Sequence, residues 1–232
     1  MKGIITGLDL GQSQDYSALV MIEQSAIANP DPEYPKEKVN RFDVRHIHRW
    51  ELGTRYPKII ADLKEMFGQS SELQGSTIIV DATGVGSGVV DMVRNAHLNA
   101  NMKAFTITHG FLPGEETVPK KDLVAAVLTA LQTERLKFAG ELELREILEK
   151  ELEMFRMEVA SDKNETFAAW RERDHDDLVL SLALAVWYGE KNGFSGEPYP
   201  RPTMTIHEEI EMLHENRMRE LRQKRFRGPR AW

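Results

Sequence analysis

The chain has 232 residues, 41% of them hydrophobic, and carries 37 Asp and Glu against 30 Lys and Arg, a net charge of −7. That size and composition suit one globular domain with a short appendage, and the acidic balance argues against a generally basic nucleic-acid coat while leaving room for a local basic groove. The absence of cysteine removes disulfides, thiolate zinc sites and thiol nucleophiles, no apolar run nears the roughly 20 residues of a bilayer span, and the N-terminus reads as a strand rather than a leader, so no membrane partner is expected.

Residues 3–10 and 17–24 read as two apolar strands around Gly11-Gln-Ser-Gln-Asp15, a hairpin by pattern. Asn29-Pro-Asp-Pro-Glu-Tyr-Pro35 has the composition of a loop. From Arg41 to Glu51, Phe42, Val44, His46, His48 and Trp50 alternate with charged residues, and only Ile47 breaks the period of two. Three strands in succession read as antiparallel. Residues 56–67 follow as a helix, with Ile59, Ile60, Leu63 and Phe67 on one face and Gly68 as its stop.

Strand and helix then alternate. Residues 77–80 form a continuous apolar strand suited to a sheet centre. Residues 87–96 read as helix, 104–108 as strand, and 120–133 as a strong helix with Pro119 in its first turn. A short extended piece at 136–138 precedes an acidic amphipathic helix over 141–158. Residues 159–170 read as a hairpin with Ser161-Asp-Lys-Asn164 at its tip, and 175–188 as an almost wholly apolar helix. The expected fold is α/β: a mixed sheet, three antiparallel strands then parallel ones, covered by helices.

The domain is expected to span 1–194, with 195–232 as linker, helix and basic tail. Pro198, Pro200 and Pro202 mark the linker, and Thr205-Ile-His-Glu208 is a capping box. It opens a helix with a thin apolar stripe of Ile210, Leu213 and Leu221, the kind that is stable when docked. Arg217, Arg219, Arg222, Lys224, Arg225, Arg227 and Arg230 then outweigh Glu220, which suggests an interaction element.

Acidic residues stand where elements end or begin. Asp9 closes Gly3-Ile-Ile-Thr-Gly-Leu-Asp9, Asp81 closes Thr77-Ile-Ile-Val-Asp81, and Asp174-His-Asp176-Asp177 opens the apolar helix. Each has a plain reading. Asp9 can start a turn, Asp81 can precede a strand-to-helix turn with Ser87 as N-cap, and an acidic residue is a common helix cap. The glycines after Asp81 do not make a dinucleotide fingerprint, because Val89 stands where the third glycine is needed. But one carboxylate suffices for a cap, and three converging element ends repel unless a cation sits between them. Divalent metal ions and phosphodiester cleavage are the usual answer. His46 and His48 share a strand face, yet with no cysteine and no third histidine nearby they read as strand histidines rather than zinc ligands. Lys103, Lys120, Lys121, Lys163, Arg171 and Arg173 are candidates to hold phosphates, and each also reads as a solvated charge. His109 has no assigned role.

Leu8-Asp9-Leu-Gly11 with Asp15-Tyr-Ser-Ala18, Ile79-Val-Asp81-Ala-Thr-Gly84-Val-Gly86, Pro119-Lys-Lys-Asp-Leu123 and, above all, His175-Asp-Asp-Leu-Val-Leu-Ser-Leu-Ala183 resemble the nuclease domain of the large terminase subunit of tailed bacteriophages. The resemblance covers about residues 3–190. It implies an RNase H-like fold of the resolvase type and two-metal cutting of double-stranded DNA during viral genome packaging in the host cytoplasm. On that footing Asp9, Asp81 and Asp177 are ligands for two Mg²⁺ or Mn²⁺ ions, with Asp9 as the bridge. Asp176 is a fourth carboxylate, and Asp15 matches a position that supports the others. Because no G-x-x-x-x-G-K-[ST] stands anywhere in the chain, a packaging ATPase domain or subunit is an expected partner, with a portal or procapsid as a further one.

Two other readings use the same residues. A nucleotide-phosphate-binding domain of the actin and sugar-kinase type also opens with Asp-x-Gly in a hairpin, but it has no use for Asp176 and Asp177. A catalytically silent packaging adaptor would bind through its tail, and the intact carboxylates argue against silence.

Overall fold

The computed structural model describes residues 2–11, 15–29, 33, 38–108, 116–161 and 176–192. Seven strands form one sheet in the order β6-β5-β4-β1-β2-β3-β7. Strands β1 (Lys2–Asp9), β2 (Ala18–Ala28) and β3 (Lys38–Arg49) are antiparallel neighbours. Strands β4 (Thr77–Asp81), β5 (Asn101–Thr108) and β6 (Thr117–Pro119) continue parallel to β1 on its other side. Strand β7 (Leu136–Phe138) lies parallel to β3 at the far edge. The expected mixed sheet is thus present.

Side-chain alternation divides the core into two layers. Leu8, Leu19, Met21, Ile78 and Val80 pack under α1 (Tyr56–Gln69) and α2 (Ser87–Arg94). Ile5, Val20, Ile22, Phe42, Val44 and Ile79 pack under α3 (Lys120–Gln132), α4 (Arg145–Ser161) and α5 (Asp177–Asn192). Helix α5 is apolar on every side, and Leu178 through Trp187 are all buried, as such a helix must be. It crosses β1 so closely that a Cβ on Gly7 would lie 1.8 Å from the Ser181 carbonyl oxygen. Glycine at this position is what allows the approach.

Several boundaries differ from the sequence reading. Helix α1 runs through Gly68 to Gln69, and the amide of Ser70 closes it on the Met66 carbonyl. The N-cap of α2 is Gly86, with φ of 75°, so Ser87 is the first helical residue. Pro119 ends β6 and caps α3 from outside its first turn. Helix α4 starts at Arg145, after Leu144 with φ of 47°, and continues to Ser161 through the start of the expected hairpin. The rest of that hairpin, the 12–14 turn, His109, and the linker, capping box and basic tail lie outside the described residues.

The misfit at Ile47 is a β-bulge. Met21 pairs with His46 while the next residue, Ile22, pairs with Val44, so Arg45 is the extra residue. The bulge shifts the phase of the strand. Phe42, Val44 and Ile47 face the α5 side, whereas Trp50 joins the α1 side. His46 and His48 stack with ring centroids 6.3 Å apart, and His48 meets Trp50 edge-on at 4.6 Å. Phe42 and Val44 therefore do not share a face with the histidines.

Candidate metal site at the sheet edge

Strands β1 and β4 end side by side. Leu8 pairs with Val80 in the parallel ladder, and the next residues are Asp9 and Asp81. Ile5 and Ile79 point into the α5 layer, so alternation puts Asp9 and Asp81 on that same face. Helix α5 begins above them. Its Ser181 hydroxyl accepts the Asp9 N–H at 3.2 Å and donates to the Ala18 carbonyl at 3.0 Å, tying the helix to the turn end of the first hairpin.

Asp81 is 3% exposed. Its Oδ1 accepts the Thr83 N–H at 2.7 Å and also the Thr83 hydroxyl. Thr83 Oγ1 in turn accepts the Ile107 N–H at 2.7 Å, which fixes the turn after β4 against β5. Gly84 and Gly86 both have positive φ, 79° and 75°, in that turn, which glycine adopts without penalty.

Asp176 is the N-cap of α5, since its carbonyl accepts the Leu180 N–H at 2.9 Å. Asp177 is the first helical residue and 4% exposed. Burial, and then the charge of Asp176, lift its carboxyl to about 7, with Asp15 adding to the rise and Arg49 opposing it. Its Oδ2 is buried with no hydrogen-bond donor among the described residues. A buried carboxylate oxygen without a donor is costly, and a cation or a proton relieves it.

Two residues that the sequence reading did not single out complete the surroundings. Glu151 of α4 approaches Arg49 at the end of β3, with Oε1 to Nη1 at 3.4 Å. Its Oε2 accepts the Val179 N–H of α5 at 3.1 Å. Burial raises the Glu151 carboxyl to about 8, helped by the charges of Asp177 and Asp176 and opposed by the Val179 hydrogen bond and Arg49. The Arg49 guanidinium also sits 4.5 Å above the Tyr16 ring. Beside the acidic group lies a groove of about 480 Å³ lined by Gly11, Asp15, Ser17, Arg55, Tyr56 and Val85, among others. The Tyr56 hydroxyl donates to the Gly11 carbonyl at 3.1 Å. Burial, and then the charge of Asp9, raise its phenol above the ordinary value.

The sequence matches the terminase RNaseH-like domain family over residues 6–188. The chain belongs to that family. Among its relatives is the large terminase subunit of Thermus phage G20c, 26% identical over 210 residues, which covers 89% of this chain and 36% of the relative. The chain therefore spans about a third of that relative's length. The cobalt-bound large terminase nuclease of phage G20c has a TM-score of 0.50 at 18% identity, covering 80% of both chains. At that identity the likeness bears on the fold, and the RNase H-like architecture expected from the sequence is the one present.

Within this terminase-family domain, the predicted residues fall into distinct places. Asp9 and Asp81 are neighbours, Asp176 and Asp177 open the helix above, and Asp15 is close enough to influence Asp177. As the side chains stand, no three histidine, aspartate or glutamate groups among the described residues are close enough to hold one ion. Lys120 is 5% exposed and starts α3 where β6 ends, on the same sheet edge as Asp9 and Asp81. Lys103 is the third residue of β5, opposite Ile79 and away from that edge. His46 and His48 are on the opposite face from α5. Asp174, Lys163, Arg171 and Arg173 lie outside the described residues.

Glu151 had one visible signal. It follows the buried Leu148 by three residues and precedes the buried Leu152, so it interrupts the apolar stripe of α4. Among Glu143, Glu146, Glu149 and Glu153 that position is easily passed over.

Proposed function

We propose that this chain is the metal-dependent endonuclease of a viral genome-packaging terminase, cutting double-stranded DNA by phosphodiester hydrolysis. The observation that carries the reading is the placement of Asp9 and Asp81 at adjacent strand ends beneath the buried start of α5, where Asp177 keeps an oxygen without a donor. Family membership supports it independently.

The donor set is all carboxylate oxygen, which suits a hard divalent cation such as Mg²⁺ or Mn²⁺. Asp9, Asp81 and Asp177 would hold two such ions, with Asp176 as a fourth carboxylate. When bound, the ions supply an activated water and stabilisation of the departing 3′ oxygen. The chain's own residues do the rest. Ser181 fixes the end of β1 against α5, Thr83 orients Asp81, and Arg49 tempers the negative charge around Asp177. Lys120, at the same edge, would be the candidate to meet a phosphate. Nothing in the chain resembles a base-reading element, so cutting is expected to be weakly sequence-specific and salt-sensitive. A packaging ATPase domain or subunit, with a portal or procapsid, completes the proposed machine in the host cytoplasm.

Supercoiled plasmid incubated with Mn²⁺, with and without EDTA, tests the reading. Nicking and linearisation blocked by EDTA are expected. ATP turnover without nicking would favour the kinase-like alternative, and neither activity would favour an adaptor.

A further inference from the structure

The buried face of α4 carries a carboxylate that this chemistry does not use. The Glu151 side chain is 8% exposed, and its two oxygens serve different elements. One accepts the N–H of Val179, the third residue of α5. The first amides of a helix have no partner within the helix, and a neighbouring N-cap side chain ordinarily satisfies the third. Here a second helix supplies the acceptor. The other oxygen faces Arg49, the last residue of β3, whose ladder partner is Ala18. The Ala18 carbonyl receives the Ser181 hydroxyl that also holds the Asp9 amide. One carboxylate thus joins α4, the first turn of α5 and the site end of the sheet. The capped amide is two residues from Asp177.

We infer that Glu151 is a positioning residue of the nuclease: by capping the first turn of α5 from α4, it holds the Asp177 carboxylate over Asp9 and Asp81. This rests on the nuclease reading above. The first turn of α5 carries two adjacent carboxylates that repel each other, and an uncapped turn bearing them would fray. Displacements of about 1 Å at a reacting centre can lower rates on the order of a hundredfold.

The role demands reach and a hydrogen-bond acceptor, and it does not demand charge. Glu151→Gln keeps the reach and one oxygen acceptor for the Val179 amide, and gives up only the oxygen that faces Arg49. Glu151→Asp keeps the charge and is one methylene too short, and Glu151→Ala removes both. The experiment measures plasmid cleavage against Mn²⁺ concentration for wild type and the three full-length variants, with circular dichroism as the folding check. Glu151→Gln is expected to stay within about threefold of wild type. Glu151→Asp and Glu151→Ala are expected to lose about tenfold or more in kcat and to need several-fold more Mn²⁺ for half-maximal rate, with KM for DNA unchanged. If Glu151→Ala fails to fold, the Gln and Asp pair decides. Folded variants all cleaving like wild type, or Glu151→Asp active while Glu151→Gln is not, would overturn the inference. A wild-type protein that cleaves nothing in Mn²⁺ would instead sink the nuclease reading.

Discussion

At the scale of single residues, the buried carboxyls set the pH behaviour of the metal-free protein. Asp177 is held near 7 and Glu151 near 8, both above their ordinary range. The folded state therefore binds their protons more tightly than the unfolded state does. Stability from these groups is fully present at acid pH and is lost as pH rises from about 4 through 7 for Asp177, and on to 8 for Glu151. The urea midpoint of EDTA-treated protein, compared between wild type and Asp177→Asn, should show the wild type losing relative stability from pH 5 to pH 8. A relative gain over that window would contradict the burial of Asp177. Metal affinity should run the other way, because only the ionised carboxylate is a ligand. These values depend on partners brought in from α4 and β3, so the sequence could mark Asp177 as a candidate without disclosing its environment.

At the scale of elements, α5 is the part that the rest of the molecule holds in place. Its first two turns are bound through Glu151 and Ser181. Near its other end, the Gly189 carbonyl accepts the side-chain amides of Gln24 at 2.9 Å and Asn40 at 3.2 Å, and Glu190 pairs with the nearly buried Arg135. Between these anchors Gly7 sets how close the helix comes to β1. Gly7→Ala should push α5 outward, at a cost of about 1–3 kcal/mol or more for overpacking against backbone. A melting temperature lower by several degrees is the expected result, together with slower cleavage, because Asp177 moves with the helix. An unchanged melting temperature would mean that α5 does not pack as described.

The same elements show what a single sequence discloses. The apolar run of α5 and the strand endings at Asp9 and Asp81 were legible because burial and alternation write themselves into local pattern. The bulge at Arg45 was not, since an extra residue in β3 is defined only by its register against β2. The three residues of β6 were too short for a period, and they form a strand only because β5 offers an edge. Glu151 looked like one glutamate among many, and its role comes from a helix pairing that no local pattern encodes.

At the scale of the whole molecule, the family match ends at residue 188 and α5 at Asn192. The domain boundary near residue 194 is a proposal, and truncation tests it. Deleting from Ser195 onward is expected to leave the domain folded and the carboxylate chemistry intact. If the seven late basic residues contact phosphates, DNA affinity should fall and its dependence on salt should become shallower. Unfolding on truncation would place the boundary wrongly. Unchanged affinity and salt slope would redirect the tail to a protein partner, for which a portal or procapsid is the proposed case.

On the proposed reading, Asp9, Asp81 and Asp177 act together on divalent metal to cut DNA. Plasmid cleavage rates at saturating Mn²⁺ for Asp9→Asn, Asp81→Asn and Asp177→Asn, each verified as folded, address it directly. Asparagine keeps the volume and removes the charge. Each variant should lose more than the roughly 10–100-fold that removal of a ligand's outer partner costs, and EDTA should abolish what the wild type does. Folded variants that cleave at the wild-type rate would contradict the claim.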